Sequence, residues 1–198
     1  GASMTPAEPT HSSGDQSRPP PVPRARATKQ KRAVDRQKRI AEAAIGVIAR
    51  HGLAGVTHRL VARDAGVSLS ATTYHYETKL DIIADASAQL LNAYTDSFRR
   101  FLNRHQEPPS LTFYGFAMRV VANAAGRNRT AVLAWCEIIL DAARHSETQA
   151  LSSHWFEKLH EIWLEIATAM GVDDAPTAVR STVDMVIGLI FVVLPLGL

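Results

Sequence analysis

Apolar residues along this chain recur at helical spacing, not strand spacing. Ile40, Ala44, Val47 and Ile48 mark one helical face, and Gly52 supplies a stop. Thr57 is placed to cap a short helix carrying Leu60, Val61 and Ala65, which ends at Gly66. Ser68 is placed to cap the next. Thr78 opens a long helix with Ile83, Ala86, Leu90, Tyr94, Phe98 and Phe101 on one face, ended by Pro108 and Pro109. Four more amphipathic patterns follow, around Phe113–Ala124, Val132–Ala143, Trp155–Met170 and Val179–Ile190. No stretch alternates with period two over strand length. The pattern predicts an all-α chain of about eight helices, with ordered sequence from Val34 and no internal repeat.

One stretch does not fit the amphipathic scheme. "GVSLSATTYHYETK", residues 66–79, crowds hydroxylated, β-branched and aromatic residues into about two turns. Such residues are mediocre helix formers and poor core unless each hydroxyl finds a partner. Two short helices joined through Ala65-Gly66-Val67-Ser68 form a helix-turn-helix signature. Gly66 permits a left-handed turn, Val67 plugs the space between the helices, and Ser68 caps the second. The small front of that second helix, Leu69-Ser70-Ala71, lets a backbone approach base edges. Hydroxyls and an imidazole in donor form can reach phosphates. Lys79 and Thr57, each in a first helical turn, can add to anion binding there.

Charge strengthens that reading. Residues 24–79 hold twelve Lys/Arg against four Asp/Glu, or +8; residues 80–198 hold nine against thirteen, or −4. A basic front and an acidic back fit one polyanion-binding module joined to something else. Residues 4–32 carry six of the ten prolines and are expected to be disordered, ending in the basic run RARATKQKR. That run reads either as a solubilising tail or as an arm on phosphates or in a minor groove. Gly1-Ala2-Ser3 reads as a cloning remnant before Met4. The apolar run 185–198 is shorter than the roughly twenty residues of a bilayer span, so no membrane segment is expected. It leaves open a natural continuation past Leu198. The single cysteine, Cys136, excludes an internal disulfide framework and fits a reducing cytoplasm.

With these residues in view, "GLAGVTHRLVARDAGVSLSATTYHYETKLDII", residues 52–83, resembles the DNA-binding domain of TetR-type (tetracycline-repressor) transcriptional regulators. Gly52, Thr57, Ala62, Ala65-Gly66-Val67-Ser68, Tyr74-His75-Tyr76 and Lys79 fit in order and spacing, and the match is specific over residues 36–83. The family usually has an apolar residue where Thr72 stands, Tyr where Thr73 stands, and Phe more often than Tyr at Tyr76. The resemblance implies phosphate anchors at Thr57, Tyr74, His75 and Lys79. Leu69, Ser70, Ala71 and Thr73 would face bases, and His58, Arg59 and Ser68 would join the same surface. For Tyr74 core packing is the competing reading; for Tyr76 it is the preferred one. His75 could also be a surface bystander.

The resemblance further implies a three-part chain. Residues 1–33 would be the arm and 34–80 a three-helix helix-turn-helix DNA-binding domain. Residues 81–198 would be an α-helical ligand-binding and dimerisation domain, joined through the long helix. A homodimer would read two half-sites of a double-stranded operator. Trp155, Leu159, Ile162, Trp163, Ile166, Val183, Val186, Ile187, Ile190 and Phe191 exceed one narrow apolar stripe and are the expected dimer interface, with burial inside one subunit as the alternative. Tyr94, Phe98, Phe101, Phe113, Phe116, Met118 and Trp135 are candidate lining of a small-molecule pocket, or ordinary core. Glu137 is either an acid at the pocket edge, favouring cationic lipophilic ligands, or, the preferred reading, a surface acid near Arg144.

Catalysis finds no support. Glu157, Glu161 and Glu165 follow one another at i, i+4, as a solvated helix face does. There is no nucleophile elbow, no Gly-rich phosphate loop and no metal-ligand spacing; His154 and His160 are six apart. Cys136, in an apolar helix, is expected to be inert. No cofactor is implied. The expected function is a repressor released from a palindromic operator by a small lipophilic ligand. The alternative is a DNA-binding regulator answering to a protein partner or to no effector.

Overall fold

The structure, a computed structural model, describes residue 1 and residues 23–104 and 112–197. Eight α-helices occupy these residues: α1 (Pro23–His51), α2 (His58–Ala65), α3 (Leu69–His75), α4 (Lys79–Arg104), α5 (Phe113–Ala125), α6 (Arg129–Ala142), α7 (Ser146–Ala169) and α8 (Ala175–Leu196). A 3-10 turn, Leu53–Gly55, follows α1. Among the described residues there is no strand. Two compact units are distinguished, Gly1–Val34 and Asp35–Leu198.

The first helix differs from expectation. It begins at Pro23 rather than near Val34. Proline suits a first helical position, and the Arg, Ala, Lys and Gln that follow are good helix formers. The rest of the expected disordered arm, residues 2–22, lies outside the described residues.

In the second unit Ile40, Val47 and Ile48 of α1, Leu53, Val56, Val61 of α2 and Ile82 of α4 are all buried. They join a core that continues through α4 into the later helices. There α7 packs against α4, α6 and α8, and α5 packs against α8. The helix ends explain the boundaries. Thr78 and Asp81 form a reciprocal capping box at α4: the Thr78 N–H donates to Asp81 Oδ2 at 2.7 Å, and the Asp81 N–H donates to Thr78 Oγ1 at 3.2 Å. The Thr78 N–H, and then the Thr78 hydroxyl, which also donates to Asp81 Oδ2 at 2.9 Å, hold the Asp81 carboxyl below its ordinary pKa.

The enclosure of α7 bears on the expected dimer face. Trp155, Leu159, Ile162, Trp163, Ile166, Val183, Val186 and Ile190 are buried inside one subunit. Those on α7 pack among α4, α6 and α8, and those on α8 pack against α5 and α7, which is the burial within one subunit named above as the alternative. Ile187 is half-buried and Phe191 is exposed. By length and composition α8 could cross a membrane. In this fold one of its faces, from Val179 to Leu194, is buried against the helical core.

Candidate nucleic-acid interface

The turn between α2 and α3 is built by Gly66. It adopts φ 63° and ψ 38°, a left-handed conformation that costs residues with a Cβ. Its N–H donates to the Arg63 carbonyl at 3.2 Å, and the Val67 N–H donates to the Ala62 carbonyl at 3.0 Å. This pair of bonds is a Schellman motif, which satisfies the last carbonyls of α2 and turns the chain sharply. Thr57 caps α2, its Oγ1 accepting from the Leu60 N–H at 3.1 Å. Ser68 caps α3, its Oγ accepting from the Ala71 N–H at 3.2 Å and lying 3.0 Å from Ser70 Oγ. Asp64 ties the two long edges together, pairing with Arg50 of α1 and with Arg63.

α3 has two unlike faces. Thr72 and Tyr76, four residues apart, point inward and are buried. The Thr72 hydroxyl donates to the Leu69 carbonyl at 2.7 Å. The Tyr76 hydroxyl donates to Asp85 of α4. Burial, then Asp85, raises the Tyr76 pKa, so its proton stays in place. On the other face Leu69, Ser70, Thr73 and Tyr74 are exposed, with Ala71 half-buried behind them. Tyr74 is 84% exposed. An aromatic ring left this bare buries little area, which argues against core packing as its role. Thr57, Arg59, Ser68 and Lys79 are exposed on the same motif.

Two expected site residues have internal positions. His58 Nε2 lies 2.9 Å from the Tyr76 carbonyl, where an N–H donates and clasps the end of α3 to the start of α2. His75 sits edge-on to Tyr74, with ring centroids 5.2 Å apart, and its Nε2 is enclosed without a hydrogen-bond partner. A phosphate contact through that nitrogen requires the ring to turn. The His58 clasp was not foreseen, because its partner is a backbone carbonyl, which no side-chain pattern announces. The Thr72–Tyr76 pairing was readable from its i, i+4 spacing.

The aromatic candidates of the later helices do meet. Tyr94, Phe98, Phe116 and Trp163 form a continuous cluster, with Phe101 and Phe113 against it. The Trp163 N–H donates to the Tyr94 hydroxyl at 2.8 Å. Trp135 joins from α6 through Trp155, at 5.9 Å. Met118 is half-buried on α5, outside these ring contacts. Surface cavities of about 650 and 390 Å³ lie elsewhere, the first beside Leu164 and Thr168, the second between Arg99 of α4 and Lys158 of α7. Glu137 has a neighbour that neither reading named. It is half-buried, and its Oε2 would lie 3.1 Å from a Cβ placed on Gly52. The acid thus abuts the turn after α1, a contact no local pattern could reveal. Beside it Cys136 is buried, which pushes its thiol up to about 11 and keeps it protonated.

A helix-turn-helix head with one bare reading face, fused to a helical aromatic core, defines a DNA-binding transcriptional regulator. Residues 108–197 match the family model described as tetracyclin repressor-like, C-terminal domain. A TetR-family member from Streptomyces coelicolor A3 is 31% identical, with TM-score 0.58, covering 77% of this chain and 83% of its own. The multidrug binding protein EbrR, solved with ethidium, is also 31% identical, with TM-score 0.58, covering 77% of this chain and 84% of its own. A regulator from Saccharomonospora viridis in complex with choline shares the fold at 18% identity and TM-score 0.63, covering 80% of this chain and 84% of its own. A comparison with curated proteins finds no match. The chain belongs to the TetR family of transcriptional regulators.

Proposed function

We propose that the protein is a homodimeric cytoplasmic repressor, not an enzyme, that leaves a palindromic operator when a small lipophilic ligand binds its helical domain. The observation that carries the DNA half is the bare Tyr74 with exposed Thr73 and Ser70 on a capped α3, and exposed Lys79 at the start of α4. Thr57, Tyr74 and Lys79 hold phosphates, while Leu69, Ser70, Ala71 and Thr73 face bases. Ligand shifts the dimer toward a state whose recognition helices no longer match the half-site spacing. Support for the ligand half comes from EbrR, solved with ethidium, proflavin and malachite green.

The dimer face in this reading is the apolar surface that the subunit leaves open: Leu164 of α7 with Phe191, Val192 and Leu196 of α8. Gly188 lies on the same helix with open space beyond its Cα, which permits close approach of a second copy. A regulator without an effector is the second reading, favoured by the tight ring contacts of the aromatic cluster.

Anisotropy titration of operator DNA against salt tests the DNA half. Tyr74→Phe and Lys79→Ala are expected to weaken binding, with Lys79→Ala lowering the slope of log K against log salt by about 0.9 for one phosphate lost. Unchanged affinity and slope in both would remove the anchor assignment. Sedimentation at micromolar concentration should show a dimer, and Phe191→Glu with Val192→Glu should give a folded monomer.

A further inference from the structure

Buried polar atoms in this core are treated unequally. The Trp155 N–H donates to the Ser87 carbonyl at 3.2 Å and the Trp163 N–H to Tyr94. Buried Thr72 and Thr148 both donate within the protein. The third tryptophan differs. Trp135 is only 7% exposed, and its Nε1 has no hydrogen-bond partner. Ser152 is equally buried, and its Oγ is likewise unpartnered.

Both residues lie on the packed pair α6 and α7. Trp135 on α6 packs against Trp155 and Phe156 of α7, at centroid distances of 5.9 and 6.3 Å. Ser152 precedes those two residues by three and four positions on the same helix, and so shares their face. Phe156 is only half-buried, at the outer side of the seam. An unpaired buried donor destabilises a fold by about 1–3 kcal/mol, so native cores rarely keep two on one helix pair.

We propose that the α6–α7 seam is a binding site for a neutral, planar aromatic molecule carrying a hydrogen-bond acceptor. This rests on the reading that the helical domain takes a small-molecule effector, and it names the class. The acceptor receives the Trp135 N–H. Ser152 supplies a second hydrogen bond. Trp155 and Phe156 offer ring faces and edges to the flat body, with Phe156 swinging aside on entry. Of the two acids on α6, Glu137 faces Gly52, and Asp141 is taken up by the Thr148 hydroxyl at 2.8 Å and by His145 Nδ1 at 3.0 Å. The seam therefore favours an acceptor over a cation.

The test is calorimetric titration of the full chain with flavone, a neutral carbonyl acceptor, and with ethidium, a cation without one. Flavone is expected to bind the parent. Trp135→Phe should weaken it about tenfold, and Ser152→Ala several-fold. Neither should change ethidium binding. Ser152→Ala should melt no lower than the parent, because it removes an unsatisfied polar atom and little volume; Trp135→Phe also loses buried ring volume and is read by flavone affinity of the folded protein. Ser152→Ala decides alone if Trp135→Phe does not fold. Flavone binding unchanged in the variants overturns the proposal. So does a drop in melting temperature with Ser152→Ala and no effect on flavone, which would make these atoms internal structure. Ethidium binding without flavone binding overturns this inference alone. Binding of neither overturns it together with the effector reading.

Discussion

α3 and α7 solve opposite problems with the same backbone. α7 turns its aromatic and aliphatic side chains inward on three sides, and Trp163 and Ile166 are almost wholly enclosed. α3 buries Thr72 and Tyr76 and leaves Tyr74 bare. The first is held by burial of area; the second is held by its ends. Its start is capped by Ser68, its preceding turn is a Schellman motif at Gly66, and its last carbonyl is clasped by His58. A reading helix cannot spend its outer face on the fold, so caps and clasps fix its orientation instead. Side chains of α7 therefore govern stability. In the proposed function, outer side chains of α3 govern affinity.

That contrast can be broken in order of effect. Trp163→Ala removes a fully buried ring and its bond to Tyr94. It is expected to destabilise by about 3–5 kcal/mol, read by urea unfolding, with operator affinity of the folded fraction unchanged. Gly66→Ala forces a Cβ into the left-handed region and should cost about 1–2 kcal/mol. Unlike the α7 change it should also weaken operator binding, because the turn aims α3.

Smaller effects sharpen the contrast at the head. Thr78→Ala removes half of the capping box and should cost about 1 kcal/mol. Asp81 gives the pH dependence. Its folded carboxyl titrates below the ordinary value, so its contribution is present above about pH 4 and is lost as pH falls through the folded pKa. The stability gap between the parent and Asp81→Asn should therefore narrow in acid, measured by melting at pH 7 and pH 3. Thr72→Val and Thr73→Val form the finest pair. The first should cost about 1 kcal/mol with operator preference kept. The second should leave melting unchanged and alter preference among operator variants.

Much of the head was legible because its signals are local. Thr57, Ser68 and Thr78 as caps and Gly66 as the left-handed turn each depend on neighbours within a few residues. The helical period placed α4 to α8 for the same reason. What stays hidden in the sequence depends on tertiary partners. A wide stripe on α7 looks alike whether a second copy or three helices of the same chain cover it. Glu137 beside Cys136 could not disclose that Gly52, far back in sequence, is its neighbour. His58 resembled a site residue by position, yet its imidazole is taken up by the Tyr76 carbonyl. Thr72, where the chain leaves its family's usual residue, keeps the inward role with a hydroxyl satisfied by its own helix.

The central claim is that two copies of this chain present the outer face of α3 to duplex DNA. Selection of bound duplexes from a random-sequence pool by the full chain, followed by sequencing, tests it most directly. The account predicts an inverted repeat with half-site centres about 34–36 Å apart, or a multiple of that. Its recovery should be lost with Lys79→Ala and Tyr74→Phe combined. Recovery of no enriched sequence, or of the same sequence by that double variant, would contradict it.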